Sequence, residues 1–173
     1  DIVKILNILL ERGYKIIFFA HTPQDIDIIY QCKKEIKNHF FREQIILAPY
    51  YPFDEAGARQ LESYYRLCDV IIAMRFHANI LAFQSGIPVV SLAGHEQIET
   101  LCEELGTKKY CVRIGENQYT EKVIEILDSF LENSHYYMIK VKEKMNILKR
   151  EQERYIKEIQ QFVRSCAYED GNN

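Results

Sequence analysis

Arg75 and His77 are the two side chains best placed by the sequence to do chemistry. They lie in CDVIIAMRFHANILAFQSGIPVVSLAG, residues 68–94, directly after a short apolar run and directly before a helix-forming one. A planar guanidinium binds a carboxylate or phosphate through two parallel hydrogen bonds. An imidazole titrates near neutral pH and either donates a hydrogen bond or passes a proton. Backbone N–H groups at a helix start add partial positive charge. With both side chains turned into one crevice, a small dianion is held from two sides. The same residues have a plainer use: the arginine pairs with a carboxylate, and the histidine caps the helix or fills a core gap. Position favours the first use, because ligands of open α/β sheets bind beyond the carboxyl ends of the strands.

The elements that must position this pair follow from two alternating periods. Residues 2–12 carry apolar residues on one broad helical face, with Gly13 as a stop. KIIFFA (15–20), QIILA (44–48), DVIIAM (69–74), IPVVSL (87–92) and YCVRI (110–114) are short apolar runs rich in β-branched residues, as expected of buried strands. Thr22 caps a helix to about residue 37, with Pro23 at its first position and Asp25 in its first turn. Further helices are expected over 55–68, 76–84 before Gly86, 96–105 before Gly106, and 120–132. Strands alternating with helices predict an α/β fold, one parallel sheet with helices on both faces and right-handed crossovers. Its carboxyl edge comprises residues 21–25, 49–56, 74–79, 93–97 and 115–120.

Residues 135–165 contain no Gly or Pro. Val141, Met145, Leu148, Tyr155, Ile159 and Phe162 recur at three- and four-residue steps, with one gap at Gln152. This predicts a long amphipathic helix. Its mixed charge favours packing on the sheet's helices or on a further domain over a membrane or calmodulin-type role. The expected organisation is a ligand-binding domain over 1–133 and, over 134–173, a long helix with a frayed tail packed on the same domain.

The 22 Lys and Arg against 25 Asp and Glu give a net charge of −3, leaving no basic excess for nucleic-acid phosphates. An apolar content of 47% excludes a disordered chain. No apolar stretch approaches the roughly 20 residues that span a bilayer. The chain opens on Asp1 rather than Met, as expected of a piece of a longer polypeptide, and no signal-peptide pattern stands at its start. Cys32, Cys68, Cys102, Cys111 and Cys166 form no C-x-x-C and read as reduced, partly buried thiols. His95-Glu96 has no partner at the zinc-motif spacing, and no G-x-G-x-x-G follows a strand, so neither a metal nor a dinucleotide is expected. Tyrosines in PYYPF (49–53) either stack on a sugar or pack a surface loop, Tyr64-Tyr65 and Tyr136-Tyr137 read as core or interface, and GENQYT (115–120) reads as a loop and cap.

Residues 69–106 resemble the C-terminal motif of the polysaccharide pyruvyl transferase family: a strand (DVIIAM), an R-x-H (Arg75-Phe76-His77), then A-x-x-x-G-x-P (Ala82 to Pro88). His21 and Asp25 in FFAHTPQD match the placement of a His and an Asp in that family. The resemblance covers most of 1–115, and only the R-x-H block is specific. It implies a Rossmann-like C-terminal half of a two-domain, glycosyltransferase-like fold, here without its first strand and with acceptor-binding residues in an N-terminal domain. It implies transfer of a pyruvyl group from phosphoenolpyruvate to a pair of sugar hydroxyls as a ketal, in surface polysaccharide or exopolysaccharide synthesis. The acceptor would be a saccharide or lipid-linked saccharide, and the setting the cytoplasm or the inner membrane face. No cofactor beyond the donor is implied. Arg75 and His77 would be catalytic and substrate-binding, with His21, Asp25 and His95 as further substrate-binding candidates, and the isolated chain would not turn over. The sequence departs from the family at Gln97, where many members carry a Lys, and only His95 offers a partial replacement. Two alternatives stay open: a nucleotide-sugar glycosyltransferase half-domain, and a degenerate, non-catalytic binding domain.

Overall fold

The computed structural model describes residues 2–50 and 54–169, apart from the side chains of Glu55 and of 164–169. Residues 51–53 of the tyrosine-rich loop therefore lie outside the described residues. The apolar runs form five short strands: β1 (Ile16–Phe18), β2 (Ile45–Leu47), β3 (Ile71–Ala73), β4 (Val89–Ala93) and β5 (Cys111–Arg113). The helices are α1 (Ile2–Glu11), α2 (Pro23–Glu35), α3 (His39–Glu43), α4 (Glu55–Tyr65), α5 (Phe76–Ser85), α6 (Glu96–Glu104) and α7 (Tyr119–Glu169). A 3-10 turn, Lys108–Tyr110, leads into β5.

Among the described residues all pairing is parallel, in an α/β fold. The single sheet expected from the sequence is replaced by two ladders among the described residues, β1-β2 and β3-β4-β5. Side chains rather than backbone pairing join them: Phe19, just past β1, packs edge-on against Tyr65 of α4 with ring centroids 4.9 Å apart. Each ladder has its own core. The larger gathers Leu92, Val90, Val112, Phe83, Ile98 and Val123 among others, and the smaller is built on Leu6, Leu10, Ile36 and Ile45. Helix α1 serves both, with Ile5 and Leu9 in the large core and Leu6 and Leu10 in the small one. Its broad apolar face is thus the splint between the two ladders.

Strand β4 lies at the centre of its ladder and buries all five residues, as a continuous apolar run should. Helix α5 buries Ala78, Asn79, Leu81, Ala82, Phe83 and Ser85 and stops at Gly86, whose φ of 74° is the left-handed C-terminal stop that glycine supplies. Helix α3 was not expected: it is a five-residue turn with no amphipathic period, started by the Asn38 Oδ1 accepting from the Phe40 N–H at 3.0 Å. The expected break between 132 and 135 is a non-helical Asn133 (φ −155°, ψ 63°) inside α7. Beyond it Tyr137 and Val141 are buried, and Tyr137 completes an aromatic group with Tyr110 and Phe130 at centroid distances of 4.7–4.9 Å. From residue 146 to 163 every side chain is exposed. Past Met145 the described part of the helix therefore presents its side chains to solvent.

Candidate functional site

The R-x-H turn is built from below by Asn79. Its side chain is fully buried, and its Nδ2 donates to the carbonyls of Ala73 (3.2 Å) and Arg75 (2.9 Å). One amide thus ties the last residue of β3 to the residue that opens α5. Arg75 occupies the N-cap in an extended conformation, and the Asn79 N–H also donates to its carbonyl at 3.0 Å. The turn is fixed before any ligand arrives.

The Arg75 side chain reaches across to the start of α2. Its Nη2 donates to Asp25 Oδ1 at 2.5 Å and to Thr22 Oγ1 at 3.4 Å. The guanidinium remains 52% exposed while the Asp25 side chain is only 15% exposed. Asp25 is itself anchored: its Oδ2 accepts from the backbone N–H groups of His21 (3.0 Å) and Thr22 (2.9 Å). Burial pushes its carboxyl up, but the Arg75 guanidinium and those two N–H groups outweigh burial and hold it below its ordinary value. Asp25 therefore acts on Arg75, through one corner of the guanidinium. Among the described residues Nε and Nη1 of Arg75 have no partner, which leaves that edge of the fork for an incoming anion.

His21 is turned inward. Its Nε2 meets the Tyr65 hydroxyl at 2.8 Å, and its Nδ1 is shielded from solvent. Burial lowers its basicity, against the pull of Asp25 and with the help of Arg75 and His77. A neutral imidazole in this place supports the turn that carries Asp25. Burial pushes the Tyr65 phenol well above its ordinary value, so it stays protonated. His77, the second residue of α5, is exposed and packs edge-on against Phe76 at 5.7 Å between centroids.

The predicted residues thus divide. Asp25, Arg75, His21 and His77 come together at the carboxyl ends of β1 and β3. His95 is the exposed N-cap of α6, and no hydrogen bond or ring contact ties it to that group among the described residues. Gln97 lies with Phe76, Glu96, Thr100, Leu101 and Glu104 along a groove of about 370 Å3 between α5 and α6. A second cation at the edge, Arg113 of β5, is taken up by Glu99 through two bonds of 2.6 and 2.5 Å. Sequence reasoning did not single out Tyr65 or Asn79 for the site. The signal for Asn79 was an amide four residues after the arginine, on the face of α5 that must be buried. Tyr65 left none, because its partner lies 44 residues away. Among the described residues no group of three His, Cys, Asp or Glu could hold a metal ion, and no helix is long and apolar enough to cross a membrane.

No curated protein and no solved structure matches the chain significantly. A family model does, the one described as "Polysaccharide pyruvyl transferase", over residues 1–96. That span runs from α1 into the first residue of α6 and holds His21, Asp25, Arg75, His77 and His95. On that match and the R-x-H turn it contains, the chain belongs to the polysaccharide pyruvyl transferase family, a family of transferases with saccharide acceptors.

Proposed function

We propose that this chain forms the donor side of a pyruvyl transferase site, binding phosphoenolpyruvate at residues 75–77. The exposed edge of Arg75 takes its carboxylate or phosphate, and the N–H groups that open α5 add partial positive charge beside it. His77 donates a proton to the vinyl carbon, leaving an oxocarbenium-like centre on the neighbouring carbon. A sugar hydroxyl adds to that centre and gives up its proton to a base. The carbon–oxygen bond to phosphate then breaks, and a second hydroxyl of the same sugar adds to that carbon, giving up its proton to the departing phosphate and closing the ketal. Acceptor binding and the base fall to residues outside this chain, so the chain alone does not turn over. The scheme uses no cofactor beyond the donor, and its setting is surface polysaccharide synthesis, in the cytoplasm or at the inner membrane face.

The observation that carries this reading is the clamp of Asp25 on one corner of Arg75, which leaves the rest of the guanidinium exposed two residues before His77. Asp25 and His21 are assigned to positioning rather than to substrate contact. Ligand-observed NMR of the chain with phosphoenolpyruvate, and separately with UDP-sugars, tests the reading. A charge-assisted contact of about 1.5–3 kcal/mol predicts at least a tenfold loss of phosphoenolpyruvate affinity in Arg75→Ala. Binding of UDP-sugars alone, or phosphoenolpyruvate binding that survives both Arg75→Ala and His77→Ala, would overturn it.

A further inference from the structure

Helix α6 carries four acids, and they divide by face. Glu99 holds Arg113 and Glu103 holds Lys108, so two are spent on ion pairs. Glu96 and Glu104 line the groove of about 370 Å3 between α5 and α6, with Gln97 and Thr100 between them. Among the described residues no hydrogen bond or ion pair holds any of these four polar side chains. Glu96, Thr100 and Glu104 stand at successive one-turn steps, which spreads them over about 12 Å at a rise of 1.5 Å per residue. Phe76 and Leu101, both partly buried against the large core, supply an apolar wall that a merely solvated helix face would lack. The groove also begins at the donor turn, since Phe76 stands between Arg75 and His77 and packs edge-on against the His77 ring.

We propose that this groove is a saccharide subsite, taking neutral sugar units next to the one that is pyruvylated. The second clause rests on the pyruvyl transferase reading above; the first rests on the groove itself. A pyranose ring has a C–H face that lies against an aromatic ring, whose own face carries partial negative charge. Its rim of hydroxyls both donates and accepts. Glu96 and Glu104 offer acceptors only, while Gln97 and Thr100 give as well as take. An apolar wall with a few convergent polar groups is the usual form of a small-ligand site, and the volume lies in the usual range. The sign of the charge sets the class of sugar. Among the described residues no Lys or Arg lines the groove, so its two carboxylates repel a uronate or a phosphorylated sugar and admit a neutral one. The row of polar groups along α6 suits a disaccharide. Capture of the reacting hydroxyls and their base stay with residues outside this chain. The groove fixes how the rest of the saccharide lies along the donor side.

The test is amide NMR of the full chain, titrated with the neutral disaccharides maltose, cellobiose and lactose and with the anionic digalacturonate. At least one neutral disaccharide should shift the amides of Phe76, Gln97, Thr100 and Leu101 to saturation, and digalacturonate should bind there roughly tenfold more weakly. Thr100→Trp fills the groove from an exposed position and should abolish the sugar shifts. The double variant Glu96→Gln, Glu104→Gln keeps the shape of the groove and should bring digalacturonate level with the neutral sugars; it decides the question if Thr100→Trp does not fold. Phosphoenolpyruvate separates this proposal from the donor reading. Arg75→Ala should lose phosphoenolpyruvate and keep the sugar, and Thr100→Trp should do the reverse. Sugar shifts without phosphoenolpyruvate binding would sink the donor reading and leave the groove a saccharide subsite. No shift at the groove with any of the three neutral disaccharides would overturn the proposal. So would shifts that persist in Thr100→Trp, or digalacturonate binding to the unaltered chain as tightly as the neutral sugars.

Discussion

Replacing Asp25 with Asn keeps the shape of the side chain and removes the charge that holds Arg75. Unit charges about 4 Å apart attract by about 4 kcal/mol at an effective dielectric constant of 20. Arg75 is half exposed, so screening and side-chain entropy cut that to about 1 kcal/mol net. The N–H groups of His21 and Thr22 also lose an ionised acceptor, worth about 1 kcal/mol more. The expected loss is about 2 kcal/mol, or a melting temperature lower by about 4–8 °C for a chain of this size. The pH dependence is more discriminating. Asp25 has a depressed value in the fold, so its stabilisation is fully present above the unfolded value of about 3.9 and is lost as pH falls through the folded one. Urea unfolding of wild type and Asp25→Asn should therefore differ fully at pH 7 and converge at the acid end. A double-mutant cycle with Arg75→Ala at pH 7 should give a coupling of about 1 kcal/mol. A stability gap that persists unchanged into acid, or a coupling of zero, would refute the view of Asp25 as the clamp on Arg75.

Other expectations follow from neighbouring contacts. Tyr65→Phe removes the hydroxyl that meets His21 Nε2 in a buried place and should cost about 1–2 kcal/mol in urea unfolding. His21 itself, made less basic by burial, should titrate below 6.5 in an NMR pH series, and stability should fall as pH drops from about 6.5 through that lower value. Gly86→Ala should cost about 1 kcal/mol through the left-handed backbone alone, since a Cβ there meets nothing within 4 Å. Gly86→Asn should cost less, because asparagine tolerates that conformation.

What the sequence made legible was local. Each strand was visible as an apolar run, and Arg75 and His77 were visible at a strand end because three signals coincide there: the end of DVIIAM, a helix start, and two polar residues. Pro23 and Asp25 announced α2 by the same kind of short-range rule. What escaped was set by partners far along the chain. The Asp25–Arg75 pair spans 50 residues, and no spacing rule connects them. The division into two ladders depends on what fills the space beside β1, where Phe19 packs on Tyr65, 46 residues further along the chain. Helix α3 escaped for the opposite reason, since five residues are too few to show a period.

The two ladders carry one more consequence. No backbone hydrogen bonds cross between β1 and β3 among the described residues, and the site supplies side-chain bonds across that seam: Arg75 to Asp25 and Thr22, and His21 to Tyr65 of α4. The smaller core beneath β1-β2 is a natural unit of partial unfolding, separable from the larger one. Opening that unit would withdraw Asp25 from Arg75 while Asn79 kept the R-x-H turn intact. Were the proposed site to capture an anion, capture and the closure of this unit would be thermodynamically linked. An anion that favours the clamped arginine should slow amide hydrogen exchange at Ile16–Phe18 and Ile45–Leu47, although neither strand touches it. The amides of β4 should exchange at an unchanged rate. On the proposed anion site, the seam between the ladders would thus report its occupancy.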